Sequence, residues 1–138
     1  LIPIGKANIV KPGSAVTIVT FGKMLSRVVM PAVEELEKQG ISCEVIDLRS
    51  VRPIDYITVV ESVKKTNRCV VVEEANPLAA ISSEITYHLQ RWAFDYLDAP
   101  IQRITTADTP APYSPVLLKE WLPNAADVIK AVKKVMNK

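Results

Sequence analysis

The amino-acid sequence predicts an α/β domain with a mostly parallel sheet and helices on both faces. Short apolar runs rich in β-branched residues alternate with longer segments in which apolar residues recur every three or four positions. The run Cys43–Leu48 follows a helical pattern closed by Gly40, and it precedes Asp55, which is suited to capping another helix. This helix–strand alternation is typical of right-handed crossovers between parallel strands.

The composition is that of an ordinary soluble domain. The 138 residues suffice for one core, with 49% apolar and 23% charged residues. A formal net charge of +2 is too small to indicate nucleic-acid binding. No apolar run approaches the roughly 18 residues of a membrane span, and no signal-peptide pattern opens the chain. Because the chain begins at Leu1 rather than Met, we expect a piece of a longer protein.

The first elements lie on either side of a proposed boundary at residue 14. Residues 1–13 contain two prolines and two glycines and are expected to form a lead-in or linker, with a possible edge strand at 7–10. The main domain is assigned to residues 14–138. It begins with a strand at 15–21, and a helix with a wide apolar face is expected at 23–39, kinked at Pro31.

The middle of the chain is predicted to continue the alternation. Cys43–Leu48 forms a strand that leaves into the loop Arg49–Pro53, and Asp55 caps a helix through about Thr66. The residues expected to be buried on this helix are Ile57, Val60 and Val63. The next strand is predicted at Cys69–Val72.

The last third contains two helices and a short strand. A helix from about Ile81 to Leu97 carries an apolar stripe that includes Trp92 and Tyr96, with Ser82 or Ser83 helping to start it. The predicted strand at 101–105 precedes a proline-rich extended loop at 107–115. Asn124 then opens the last helix in a capping-box-like arrangement with Asp127. The buried stripe of that helix is Val128, Ile129, Val132, Val135 and Met136.

Charged residues gather at the predicted carboxyl edge of the sheet, where open α/β sheets bind ligands. They are Arg49, Arg52, Glu73, Glu74 and Asp108. Such a set could bind an anion or supply a general acid, but nearly matched opposite charges favour a network of ion pairs between loops.

Other candidate chemistry is weak, and the residues alone predict no catalytic, cofactor-binding or metal site. His88 is the only histidine and lacks a triad partner, so a solvent-facing or satisfied helix position is favoured. No glycine-rich phosphate loop is present. Cys43 and Cys69 lack metal-ligand spacing and are expected to be buried reduced thiols. Trp92, Phe94 and Tyr96 are interpreted as core or interface aromatics, and Ser26, Ser50 and Ser114 have no base in a recognisable motif.

Several motifs in the same order resemble one protein family. They are residues 43–55, the run Ser62–Arg68, the run Tyr96–Ile101, the run Asp108–Tyr113 and Trp121-Leu122-Pro123, with Pro3–Ala7 similar to the family's entry into the domain. Together they resemble the carboxyl-terminal domain of the beta subunit of pyruvate dehydrogenase's thiamine-dependent decarboxylase component. A branched-chain 2-oxo acid dehydrogenase beta subunit is one alternative, and a free-standing flavodoxin-like ligand-binding module is another.

The resemblance implies a fold like the third domain of transketolase. It also implies an α2β2 enzyme in which thiamine diphosphate and magnesium lie between the alpha subunit and the beta subunit's amino-terminal domain, which this chain lacks. This domain would then be inactive alone and would serve beta–beta dimerisation and docking of the dihydrolipoyl acyltransferase's subunit-binding domain. Asp98 and Lys138, the latter through the terminal carboxylate, resemble the family's anionic partner contacts. The compartment would be the cytoplasm in a bacterium, or the mitochondrial matrix or plastid in a eukaryote.

The chain departs from the family pattern at three positions. Ala80 and Ser82 stand in a loop where the family tends to have glycines, and Leu118 stands where glutamate is common. Because glycine permits positive φ, we expect the usual conformation of that loop to be affected.

Overall fold

The computed structural model describes residues 1–137, in which one five-stranded sheet has the order β1-β3-β2-β4-β5. The strands are β1 (Asn8–Lys11), β2 (Val16–Thr20), β3 (Cys43–Asp47), β4 (Cys69–Val72) and β5 (Gln102–Ile104). Every pairing except one is parallel, because β1 runs antiparallel to β3. The predicted mostly parallel sheet is therefore confirmed, and the expected edge strand in the lead-in is present at 8–11.

Helices cover both faces of the sheet, as predicted. They are α1 (Met30–Lys38), α2 (Tyr56–Thr66), α3 (Ile81–Ala93), α4 (Pro115–Trp121) and α5 (Ala125–Val135). One apolar layer joins α1 and α5 to the sheet through side chains such as Val16, Val70 and Val132. The other joins α2 and α3 to the opposite face through Val71 and Ile85, among others. The sheet is therefore the middle of three layers.

The predicted irregularity at Pro31 takes the form of a π-helical turn. Leu25–Val29 is π-helical, and the amide of Met30 donates to the carbonyl of Leu25, five residues back. Pro31 has no amide hydrogen, so it cannot continue an α-helical ladder, and it is tolerated in the first turn of α1 that follows. The apolar face survives this change, since Val28, Val29 and Leu36 remain buried.

Both predicted helix caps are present. The Asp55 carboxylate accepts hydrogen bonds from the Thr58 amide (3.2 Å) and hydroxyl (2.8 Å) at the start of α2. Asn124 and Asp127 form a reciprocal capping box at the start of α5. One expectation for α2 is wrong, because Ile57 is 75% exposed whereas Val60 and Val63 are buried as predicted.

The predicted helix after β4 ends earlier than expected. Helix α3 stops at Ala93, and Phe94–Tyr96 continue as a single 3-10 turn. Neither Ser82 nor Ser83 caps its start with a side chain, because the N-cap is Ala80. The amide of Ser82 instead donates to the buried carboxylate of Glu73 (3.0 Å).

Helix α4 was not predicted, and it shares only its first residue, Pro115, with the segment predicted to be an extended loop. Pro115 begins it, where a missing amide hydrogen costs nothing. None of its residues is buried, and Val116 and Leu117 are mainly exposed. Its end is fixed by Trp121, whose ring nitrogen donates to the carbonyl of Thr109 (3.0 Å). No helix in residues 1–137 is long and apolar enough to cross a membrane.

The loop before α3 contains a left-handed alanine, one residue ahead of the positions noted in the sequence. Ala79 has φ +57°, whereas Ala80 is extended and Ser82 is helical. A left-handed conformation costs a residue with a Cβ about 1–2 kcal/mol. The strain expected from losing a glycine in this loop therefore falls on Ala79.

Replacing Ala79 with glycine is expected to raise the free energy of unfolding by about 0.5–1 kcal/mol, because relief of the left-handed strain exceeds the added chain entropy of the unfolded state. Chemical denaturation measures the change. Ala126→Gly on the exposed side of α5 is the control, and it should lower stability by up to about 1 kcal/mol. A loss of stability in Ala79→Gly would contradict the strain argument.

Candidate partner-contact site

Asp98 lies at the amino edge of the sheet, just before β5. Its amide donates to the carbonyl of Asn67 (2.9 Å), which ties the segment after α3 to the turn after α2. Asn67 has φ +63° and also donates through its side-chain amide to the carbonyl of Tyr96 (2.8 Å). The Asp98 side chain is 57% exposed. The structure therefore fixes the backbone at this position and leaves the carboxylate accessible.

Arg68 joins Asp98 to the end of α5. Its Nη2 lies 3.4 Å from Asp98 Oδ2, and its Nε donates to the carbonyl of Val135 (3.1 Å). The Arg68 cation thus binds the carbonyl of Val135, which has no partner within the helix because it lies in the last turn of α5. Positive charge is favourable at that end of a helix. We refer to Arg68, Asp98 and Val135 as the amino-edge patch. Lys138, the other predicted partner contact, lies outside the described residues.

An apolar groove of about 540 Å³ lies beside Asp98. Its lining is Thr86, Gln90, Phe94, Leu97, Asp98, Ala99, Pro100 and Ile101. Among residues 1–137, Asp98 is the only charged residue in that lining, so the groove beside the amino-edge patch combines apolar area with one carboxylate.

The charged residues of the carboxyl edge do not form the predicted network. Within residues 1–137, no ion pair joins any two of Arg49, Arg52, Glu73, Glu74 and Asp108. Glu73 is fully buried, and one of its carboxylate oxygens accepts a hydrogen bond from the Ser82 amide at the start of α3. For Glu73 the prediction failed because its Oε1 accepts the amide hydrogen of Ser82, while its buried Oε2 has no hydrogen-bond partner among residues 1–137.

His88 is satisfied at only one ring nitrogen, because its Nδ1 is buried without a hydrogen-bond partner among residues 1–137, so the satisfied helix position favoured for it is only partly met. Its Nε2 lies 2.8 Å from Glu84 Oε1, one turn earlier on α3. Its ring stacks on Trp92 with centroids 4.5 Å apart and lies 4.0 Å from the ring of Tyr56. Trp92 itself is 45% exposed, so it combines this packing with accessible surface. The geometry gives His88 a role in joining α2 to α3.

Both cysteines are free and buried, as predicted. Burial raises the pKa of each thiol to about 12. The reactive thiolate is therefore a negligible fraction near neutral pH. In the part of the chain that the structure describes, no cluster of three His, Cys, Asp or Glu side chains is arranged to hold a metal ion.

A buried polar network under α2 was missed by sequence reasoning. Glu44, on β3, accepts hydrogen bonds from the Ser62 hydroxyl (2.6 Å) and the Gly13 amide (3.1 Å), and it pairs with Lys65. Ser62 also lies 2.7 Å from the hydroxyl of Thr17, on β2. Burial alone would raise the pKa of Glu44, but these hydrogen bonds outweigh it and lower that pKa below its usual value. No local signal could name the partners in this network, since its members lie far apart in sequence.

Comparison with known proteins identifies the domain type. A family model described as the transketolase C-terminal domain matches residues 5–128. Among solved structures, a split-gene transketolase described as an inactive beta4 tetramer superposes with a TM-score of 0.80 at 29% identity, covering 96% of this chain and 43% of that one. A 2-oxoglutarate:ferredoxin oxidoreductase from Magnetococcus marinus shares the fold, with a TM-score of 0.60 and 13% identity over 95% of this chain and 19% of that one.

The curated relatives are named pyruvate dehydrogenase E1 component subunit beta. One from Rhizobium meliloti is 49% identical over all 138 residues, which cover 30% of its length. One from Rickettsia felis is 48% identical over 97% of this chain and 41% of its own. A mitochondrial one from Dictyostelium discoideum is 47% identical over 98% of this chain and 38% of its own. The chain spans well under half the length of these relatives. It belongs to the transketolase C-terminal domain family.

Proposed function

We propose that this chain is the carboxyl-terminal domain of a pyruvate dehydrogenase beta subunit. The observation that carries the proposal is the 49% identity over all 138 residues to a beta subunit of that name. In this proposal the complete enzyme is an α2β2 assembly that decarboxylates pyruvate with thiamine diphosphate and magnesium and transfers the acetyl group. It acts in the cytoplasm of a bacterium, or in the mitochondrial matrix or plastid of a eukaryote.

The chemistry would take place on polypeptide other than this domain. Within residues 1–137 the charged side chains of the carboxyl edge described above form no ion pair with one another, and one carboxylate oxygen of Glu73 accepts a hydrogen bond from the start of α3. No cluster of three His, Cys, Asp or Glu side chains in residues 1–137 could hold a magnesium ion, and no catalytic residue is assigned here. Decarboxylation of pyruvate by this chain alone would contradict that part of the proposal.

The domain would instead supply surface for a second beta subunit and for the acyltransferase's subunit-binding domain. Large apolar side chains are exposed to an extent typical of surfaces that other chains cover. They include Trp92, Phe94 and Tyr96 at the end of α3, and Tyr113, Val116 and Leu117 around α4. Asp98 supports the docking role because its carboxylate is accessible while its backbone is held in place.

Asp98→Asn is expected to weaken binding of a dihydrolipoyl acyltransferase subunit-binding domain to the 138-residue chain by about tenfold. Removing one partner of a buried interfacial charge pair would reduce the affinity more. The loss is smaller here because the Asp98 carboxylate is half-exposed and already pairs with Arg68. Isothermal titration at low salt measures the affinity. The control is Asp95→Asn, which removes an exposed acid three residues away.

Equal losses in the two variants would show that Asp98 is not a specific contact. Absence of binding by the unaltered chain at high micromolar concentration would contradict the docking role itself. Native mass and a ligand-shift melting screen separate this proposal from a free-standing ligand-binding module, which predicts a monomer stabilised by a small molecule.

A further inference from the structure

Arg68 has two attachments of different quality. Its Nε donates to the Val135 carbonyl at 3.1 Å, a normal hydrogen bond that belongs to the fold. Its Nη2 lies 3.4 Å from Asp98 Oδ2, which is longer than the roughly 2.7–2.9 Å of a well-formed charge-assisted hydrogen bond. The pair with Asp98 is therefore the looser of the two. Arg68 is mainly buried whereas Asp98 is mainly exposed, so solvent and partners reach the acid first.

The position of Asp98 does not depend on this arginine. The Asp98 amide is bonded to the Asn67 carbonyl, and the Asn67 side chain is bonded to the Tyr96 carbonyl. These contacts hold the backbone of Asp98 without using the guanidinium. Removal of Arg68 should therefore change the charge at this surface much more than its shape.

We infer that Arg68 is the internal counter-ion of Asp98, which a basic side chain of the docked partner must displace, and that it thereby determines how strongly the surface selects cations. The inference rests on the proposed docking function, in which the partner directs a basic side chain at Asp98, and it adds the role of Arg68. A partner cation that forms a short hydrogen bond with this carboxylate replaces a long one, while Arg68 keeps its bond to the end of α5.

The test compares Arg68→Gln with Arg68→Lys and Lys64→Gln in the 138-residue chain. Glutamine removes the positive charge, and lysine keeps it. Lys64 is a nearby cation that lies over the ring of Tyr96, 5.4 Å from its centroid, and pairs with Glu61. Its removal changes the net charge by the same amount without freeing Asp98. Thermal unfolding of each variant checks that the fold is intact.

Arg68→Gln is expected to bind the acyltransferase subunit-binding domain about two- to fivefold more tightly, the size of effect that an exposed charge pair supports. Arg68→Lys should stay close to the unaltered chain, and Lys64→Gln should have a smaller effect than Arg68→Gln. The affinity of Arg68→Gln should also fall more steeply with salt, because the partner's cation meets an uncompensated carboxylate. In an Asp98→Asn background the gain should disappear, whereas a purely structural role of Arg68 predicts no such coupling.

A folded Arg68→Gln variant with unchanged or weaker affinity would overturn the inference, as would equal gains in Arg68→Gln and Lys64→Gln. If the subunit-binding domain binds none of the chains, the docking proposal fails, and an acetylated tetra-arginine peptide at low salt becomes the probe. Its binding, followed by the amide signal of Asp98, should still strengthen in Arg68→Gln. Equal binding of this peptide to both chains would refute the counter-ion role independently of the docking function.

Discussion

Replacing Gly13 with alanine is expected to lower the free energy of unfolding by about 3 kcal/mol. A Cβ at this position would collide with backbone atoms of β3, namely the carbonyl group of Cys43 and the amide nitrogen of Glu44. Backbone atoms in a central sheet cannot rotate away as a long side chain can, so the two segments must separate. The same movement would weaken the bond from the Gly13 amide to Glu44. Chemical denaturation of the purified variant measures the change.

Gly40→Ala is the matched control for Gly13→Ala. Gly40 has φ +78° at the end of α1, and a Cβ there would meet nothing within 4 Å. Its only cost is the left-handed backbone, about 1–2 kcal/mol. If Gly13→Ala cost no more than Gly40→Ala, the close approach of the lead-in to β3 would not be the cause.

Removing the Glu44 carboxylate is the second large change, with an expected cost of about 3 kcal/mol for Glu44→Ala. Its loss leaves the Gly13 amide, the Ser62 hydroxyl and the Lys65 ammonium without their acceptor. Removing one partner of a buried ion pair costs about 3–5 kcal/mol, and the lower end applies because Lys65 is half-exposed and can be hydrated. Urea titration at neutral pH measures the loss.

Glu61→Ala is the control for Glu44→Ala. Glu61 pairs with Lys64 on the outer side of α2, and its side chain is 68% exposed. An exposed pair of this kind contributes about 0–1 kcal/mol. Comparable costs for the two alanine variants would show that burial of Glu44 is not important.

The lowered pKa of Glu44 also predicts how the free energy of unfolding depends on pH. Its pKa in the folded chain is lower than the usual value of 4.5, so its contribution is fully present above pH 4.5 and is lost as the pH falls through the folded pKa. Asp55 behaves in the same direction, because its hydrogen bonds from Thr58 and Ala7 outweigh burial and lower its pKa. Glu44→Gln should therefore lose stability less steeply below pH 4.5 than the unaltered chain. Parallel acid-unfolding curves would contradict this assignment.

The sequence was a reliable guide where one local pattern determines the structure. The β-branched run Cys69–Val72 and the apolar spacing of α5 specify a strand and a helix before any long-range contact forms. Helix α4 carries no such pattern, since it buries none of its residues, and no element was predicted beyond the proline-rich loop that ends at Pro115. The prediction that Ile57 is buried was wrong for a related reason. Helix α2 directs Val59 and Val60 inward, and the apolar spacing alone did not determine which side of the helix faces the core.

The candidate site was predictable only in part. The accessible carboxylate of Asp98 was named from its motif, but its counter-ion Arg68 was not, because the two residues meet only when α2 and the segment after α3 end at the same edge. The same reason explains why the network that includes Glu44 and Thr17 was not predicted, since these residues lie on adjacent strands yet 27 residues apart in sequence. A polar residue inside an apolar strand is the one signal that indicates such a network, and it does not name the partners.

Because β1 pairs antiparallel with β3, removing the lead-in would uncover one edge of the sheet. Strand β1 occupies the outer side of β3, whose residues are almost entirely buried. A shortened chain beginning at residue 14 would leave that row of amides and carbonyls without partners, next to an apolar surface. Unprotected strands of this type recruit strands from neighbouring molecules and promote aggregation. The lead-in thus covers this edge of β3 and removes it as a template for pairing with another chain.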